Sequence, residues 1–233
     1  MSLLNEKFDK IVCINLLERP DKKEAMEKRF KDLNIEVEWY HPVQYSFIPK
    51  ITKGIIASGS AHFNQNQPFE VGAALSHYHV IKQAWYEGCE RIFVFEDDAK
   101  FHKDFEKKLE IYWKQLPEDW DMILFYSFMY NLDPKNVRVS PRWIRSYKSW
   151  SLMAYGMNVE AMEEYIKRQD EFFTIADLVT FKMQEETNLN IYSSIPSLCI
   201  PNTNLGSNIR GKNMNYESNP TITNMGYSND NYE

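Results

Sequence analysis

Arg91-Ile92-Phe93-Val94-Phe95-Glu96-Asp97-Asp98 decides the reading of this chain. A short apolar run rich in β-branched and aromatic residues is the pattern of a strand buried on both faces. The three carboxylates therefore emerge at the carboxyl end of a strand, the edge at which open α/β sheets bind ligands. Packed acids repel one another and resist desolvation unless a cation sits among them. A hard divalent ion, Mn²⁺ or Mg²⁺, suits such an oxygen site and is often shared with a substrate phosphate. A solvated acidic turn is the plain alternative.

The flanking elements give that strand a setting. Lys10–Leu16 reads as a first strand, and Pro20 opens a helix to about Leu33 with Met26, Phe30 and Leu33 along one stripe. Ile35–Trp39 alternates as a second strand, completing a βαβ unit. A helix is expected from Gly72 to Gly88, with Ala74, Tyr78, Ile81 and Trp85 as its buried stripe. On that helix His77 falls at the stripe's edge, His79 points to solvent, and Ser76 falls on the opposite side. A helix over Asp104–Gln115 and a strand over Asp121–Tyr126 follow, with Asp121 read as structural. Trp150–Tyr155 reads as a buried strand, Asn158 as the cap of a helix to about Arg168, and Phe173–Met183 as helical. One or two short strands are expected within Ile191–Ile200. Residues 42–69 and 131–147 read as long loops whose aromatics, Tyr45, Phe47, Phe63, Trp143 and Tyr147, either stack on a ligand ring or pack the loops down.

Composition narrows the function. At 233 residues, 43% hydrophobic and 26% charged, the chain is a globular protein with room for a real core. A net charge of -6 argues against a general nucleic-acid partner, while an anionic small substrate stays possible if a metal supplies positive charge. The three cysteines, Cys13, Cys89 and Cys199, lack zinc-ligand spacing and fit free thiols of a reducing compartment. With neither a signal peptide nor a transmembrane segment in the sequence, a cytoplasmic location is expected. One domain is expected over residues 1–211, followed by an Asn/Ser-rich flexible tail at 212–233.

Four segments, in order, resemble glycosyltransferase family 25, the lipopolysaccharide and collagen galactosyltransferases. Glu70-Val-Gly-Ala-Ala-Leu-Ser76-His77 is similar to the family's "E-x-G-C-A-x-S-H", and the strand ending in Glu96-Asp97-Asp98 to its "L-E-D-D". Pro117–Leu124 resembles "P-x-D-W-D-x-x-L", and Ile14-Asn15-Leu16 with Arg19-Pro20-Asp21 resembles the opening "I-N-L-x-x-R-x-D-R". The resemblance implies a GT-A-like α/β domain with a mostly parallel central sheet flanked by helices. It also implies metal-assisted, inverting transfer of a hexose from a nucleotide diphosphate sugar, UDP-galactose being favoured, to a glycan or lipid-linked glycan acceptor.

By the same resemblance Asp98 is the first metal ligand, Glu96 touches the ribose or a metal-bound water, and Asp97 orients its neighbours. Asp177 matches a late "V-D" position, where it is either the general base or a buried capping acid. His77 and Ser76 contact the donor or serve the fold, and Asn15 and Arg19 lie where a uracil or diphosphate binds. The chain departs from the pattern at Lys22 and Lys23, which replace arginine, and at Asn208, which replaces an acid. It has no histidine after His102 to complete a metal site, which leaves Arg210 or Lys212 as candidates to neutralise a diphosphate. These departures keep open a non-catalytic nucleotide-sugar or glycan-binding protein derived from a transferase. A nucleotidyltransferase fits poorly, since Leu17-Glu18-Arg19-Pro20 follows the first strand where a glycine-rich phosphate loop is needed.

Overall fold

The computed structural model describes residues 1–42, 68–129, 133–202 and 231–233. At its centre lies an eight-stranded sheet in the order β2-β1-β3-β10-β5-β11-β8-β7. Strand β1 (Lys10–Ile14) lies between β2 (Glu38–Tyr40) and β3 (Arg91–Glu96), parallel to both. Next to β3 runs β10 (Ala154–Asn158), antiparallel, followed by β5 (Met122–Leu124) and the parallel β11 (Ile191–Ser194). A hairpin of β7 (Val137–Ser140) and β8 (Trp143–Arg145) closes the edge. Only β8 and β10 run against the other six strands, so the sheet is mostly parallel in direction and GT-A-like in its helical cover.

The alternation within β3 explains its unbroken hydrophobicity. Phe93 and Phe95 face α1 (Leu3–Lys7), α2 (Pro20–Asp32) and α4 (Phe105–Trp113). Ile92 and Val94 face the other way, onto α3 (Pro68–Tyr86), α5 (Val159–Glu171) and α6 (Ala176–Glu186). A strand covered on both faces needs apolar side chains at every position. Aromatic pairs stitch the first face together, with Phe93 4.7 Å from Phe125 and 5.1 Å from Phe8. Gly156 of β10 is required there, because a Cβ would meet the Phe8 ring at 2.7 Å.

Helix ends follow the chemistry of their caps. The Asn158 side chain accepts from the Ala161 N–H and starts α5, as expected. Pro20 occupies the first turn of α2, and Gly88, at φ +78°, lies just past the end of α3.

Several expectations need correction. Residues 133–147 are not a plain loop, because Val137–Arg145 forms the β7–β8 hairpin and places the Trp143 side chain in the core, donating to the Tyr112 carbonyl at 2.8 Å. Trp150–Tyr155 is not one strand. Ser151 adopts φ 108°, which separates β9 (Ser149–Trp150), paired with β6 (Phe128–Met129), from β10. The second strand lies at Glu38–Tyr40, three residues later than its alternation begins. Ser76 is buried rather than outward, because α3 is covered by the sheet and by α5 and α6 and so hides more than one stripe. The tail expectation falls mostly outside the described residues, but its last three residues are not loose. Glu233 exchanges backbone hydrogen bonds with Phe101, and the buried Tyr232 donates its hydroxyl to the Ser197 carbonyl at 2.8 Å. They lie beside β4 (Ala99–Phe101), whose other partner is β12 (Cys199–Pro201).

Candidate functional site

Because Ile14 and Glu96 are register partners, the chain leaves β1 and β3 side by side at one edge of the sheet. The Asn15 amide reaches across that edge and donates to Asp97 Oδ2 at 2.9 Å and to the Arg19 carbonyl at 3.1 Å. From the first turn of α2, Lys22 Nζ donates to Asp97 Oδ1 at 2.9 Å and to Asp98 Oδ2 at 3.2 Å. The Lys22 side chain is only 4% exposed, so this is a buried ion triad.

Glu96 belongs to a second group of partners. His77 Nε2 lies 3.1 Å from Glu96 Oε1, and His77 Nδ1 lies 2.9 Å from the Tyr155 hydroxyl. An ionised carboxylate only accepts, so in the neutral imidazole Nε2 carries the proton and Nδ1 accepts from Tyr155. Tyr155 is fully buried on β10, and burial pushes its phenol well above its usual value, helped by the nearby charges of Glu96 and Asp177. The hydroxyl therefore keeps its proton and fixes the imidazole.

Among the described residues the charge in direct contact within the cluster does not balance. Burial raises the Asp97 and Asp98 carboxyls, and Lys22 offsets this only in part. Burial works against the Lys22 ammonium too, yet the pull of Asp98 and Asp97 carries it upward overall. Among the described residues one ammonium is thus in contact with two of the three carboxylates, and the third, Glu96, has His77. Glu96, with 39% of its side chain exposed, and Asp98, with 22%, are the open members, while Asp97 faces inward.

Among the described residues no three His, Cys, Asp or Glu side chains converge as a metal site. Glu96 and Asp98 nevertheless fit a Mn²⁺ or Mg²⁺ site of the kind in which one or two carboxylates are completed by water and substrate phosphates.

The other candidates are distributed unevenly. Asp177 stands in the first turn of α6, within electrostatic range of Tyr155 and Tyr165. Arg19 lies at the start of α2, where its guanidinium grips Asp21 at 2.7 Å and holds that carboxyl down at about 2. Ser76 donates to the Gly72 carbonyl of its own helix at 2.6 Å. Arg210, Lys212, Asn208 and the aromatics Tyr45, Phe47 and Phe63 lie outside the described residues. Tyr147, half-buried, stacks under Lys135 at 4.4 Å. Sequence reasoning assigned no role to Tyr155, which reads as an ordinary strand aromatic, and treated Lys22 only as an imperfect arginine.

The sequence is similar to those of known proteins. The sequence model of the family described as "Glycosyltransferase family 25 (LPS biosynthesis protein)" matches residues 8–180. The human "Inactive glycosyltransferase 25 family member 3" is 24% identical over 196 residues, 72% of this chain and 31% of its own length. Human "Procollagen galactosyltransferase 2" is 29% identical over 126 residues, 50% of this chain and 20% of its own. The Xenopus laevis "Procollagen galactosyltransferase 1-B" is 29% identical over 126 residues, 50% of this chain and 21% of its own. The chain thus spans a third or less of the length of these relatives.

Proposed function

The chain belongs to glycosyltransferase family 25, and we propose that it transfers a hexose, galactose first among them, from a UDP-sugar to a glycan or lipid-linked glycan hydroxyl with inversion. The observation that carries this reading is the under-neutralised acidic cluster at the carboxyl end of β3. A diphosphate and a divalent ion together bring what such a cluster lacks. Two relatives whose printed names make them procollagen galactosyltransferases support the choice of sugar.

Asp98 and Glu96 would hold Mn²⁺ or Mg²⁺, which supplies electrostatic stabilisation of the negative charge developing on the departing diphosphate. Asp97, clamped by Lys22 and Asn15, fixes the backbone turn from which both ligands project. His77, fixed by Tyr155, orients Glu96. Asp177 takes the acceptor hydroxyl's proton as that oxygen attacks the anomeric carbon and the sugar–diphosphate bond breaks. The free Cys13 and Cys199 thiols fit a cytoplasmic setting. In the described residues no helix is long and apolar enough to cross a membrane.

A second reading has its own support. Several relatives carry "inactive" in their names, and Lys22 already occupies the space between Asp97 and Asp98. On that reading the protein binds a nucleotide sugar without turning it over. A panel of nucleotide sugars with and without Mn²⁺ separates the two. Slow Mn²⁺-dependent hydrolysis of one UDP-hexose, lost in Asp98→Asn, supports the transferase, whereas binding without turnover supports the second reading.

A further inference from the structure

Lys22 sits where a lysine is electrostatically misplaced. It lies in the first turn of α2, at the positive end of the helix dipole, which disfavours a cation. Its side chain is almost fully buried, which disfavours it further. Among the described residues the two carboxylates at 2.9 and 3.2 Å are what compensates. Conversely, Asp97 and Asp98 are neighbouring like charges at the edge of the sheet, and Lys22 is the ammonium in contact with both. Each side of the triad therefore offsets the charge of the other.

We propose that Lys22 is the built-in counter-cation of the acidic site, a positioning residue that holds the acids assembled and competes with a divalent ion for their charge. The inference rests on the reading of Asp98 as a metal ligand. An ion approaching Asp98 meets an ammonium 3.2 Å from one of its oxygens, so it is repelled by the same group that keeps the site in shape. The ion then binds weakly by itself, and tightly only when a nucleotide diphosphate brings further negative charge. Lys22 thereby couples the two ligands without touching the sugar.

The test measures Mn²⁺ binding, by the electron paramagnetic resonance signal of free Mn²⁺, to wild type, Lys22→Met and Lys22→Arg, each with and without UDP. Lys22→Met is expected to bind Mn²⁺ alone on the order of tenfold or more tightly than wild type, since a unit charge a few ångströms away is removed. Its dependence on UDP should shrink by the same factor. It should also melt at a lower temperature in EDTA and recover in Mn²⁺. Lys22→Arg keeps the charge and should keep the wild-type Mn²⁺ affinity. If Lys22→Met does not fold in EDTA, refolding in Mn²⁺ decides: recovery supports the proposal, and failure under both conditions overturns it. Equal or weaker Mn²⁺ affinity in Lys22→Met overturns the proposal while leaving the metal reading intact. No Mn²⁺ bound by wild type or Lys22→Met, with or without UDP, removes the metal reading and the proposal with it.

Discussion

Carboxylates stand at both ends of the central sheet and are satisfied in opposite ways. Before β5, Asp121 accepts from the Asn190 backbone N–H at 2.6 Å and from the Asn158 amide at 3.1 Å. Nearby, Asp119 accepts from the Tyr192 hydroxyl at 3.0 Å and from the Asn190 amide at 3.2 Å. After β3, Asp97 and Asp98 share one buried ammonium, and Glu96 has a histidine. Neutral donors satisfy a carboxylate without calling for anything more, so the first arrangement is complete. Among the described residues the second has one ammonium in contact with two carboxylates, and a site short of charge is one that can gain a ligand.

The contrast breaks first at Asp98. Asp98→Asn should cut Mn²⁺-dependent turnover of the UDP-hexose by roughly 10²–10³-fold, the usual cost of losing one preorganised electrostatic contact. Its melting temperature should stay within a few degrees, because the side chain is partly exposed and Asp97 keeps Lys22. Unchanged turnover would mean that the two ends of the sheet differ only in appearance. Asp121→Ala is the mirror experiment. Leaving the Asn190 N–H and the Asn158 amide short of an acceptor should cost about 1–3 kcal/mol of stability by urea unfolding. Turnover per folded molecule should not change, and a large loss of turnover would move catalysis to the wrong edge.

Legibility followed the same division. The β3 run and its acids were readable because a strand covered on both faces must be apolar throughout and an acidic end then has nowhere neutral to go. The Asn158 cap was readable because its partner, Ala161, is three residues away. The β7–β8 hairpin was hidden by Arg138, Arg142 and Arg145, which gave an edge segment the look of a solvated loop although Trp143 between them is core. Lys22 and Asp97 lie 75 residues apart, and His77 and Tyr155 lie 78 apart. No local pattern announces such pairings, which exist only once the sheet order is known. The position of the acids after β3 was thus legible, and the groups that hold them were not.

Tyr155 sharpens the picture at the acidic end. Tyr155→Phe removes one hydroxyl from a packed ring and leaves His77 Nδ1 without its donor. Turnover should fall about tenfold, equivalent to ~1.4 kcal/mol, close to one net hydrogen bond. The ¹⁵N shifts of His77 should lose the pattern of a single fixed tautomer. A fall in turnover with the tautomer unchanged would assign Tyr155 to packing.

The smallest effect belongs to the other end, at Tyr192. Burial first, and then the Asp119 carboxylate that accepts its hydrogen bond, hold this phenol up at about 12. An unfolded chain gives up the same proton near its ordinary value of 10.0. Between those values the folded state binds more protons than the unfolded one, so stability must fall as pH rises. The contribution is complete below pH 10.0, declines across the window and is gone above about 12. Tyr192→Phe should therefore make the loss of stability between those two values shallower, while absorbance at 295 nm shows one fewer late-ionising phenol. The acidic cluster after β3 should not respond, because the proton lost at Tyr192 belongs to an arrangement built from neutral donors at the opposite edge. If Tyr192→Phe altered Mn²⁺ affinity as well, the two ends would be coupled through β5 and β11, and the division between a finished carboxylate and an unfinished one would have to be redrawn along the strands.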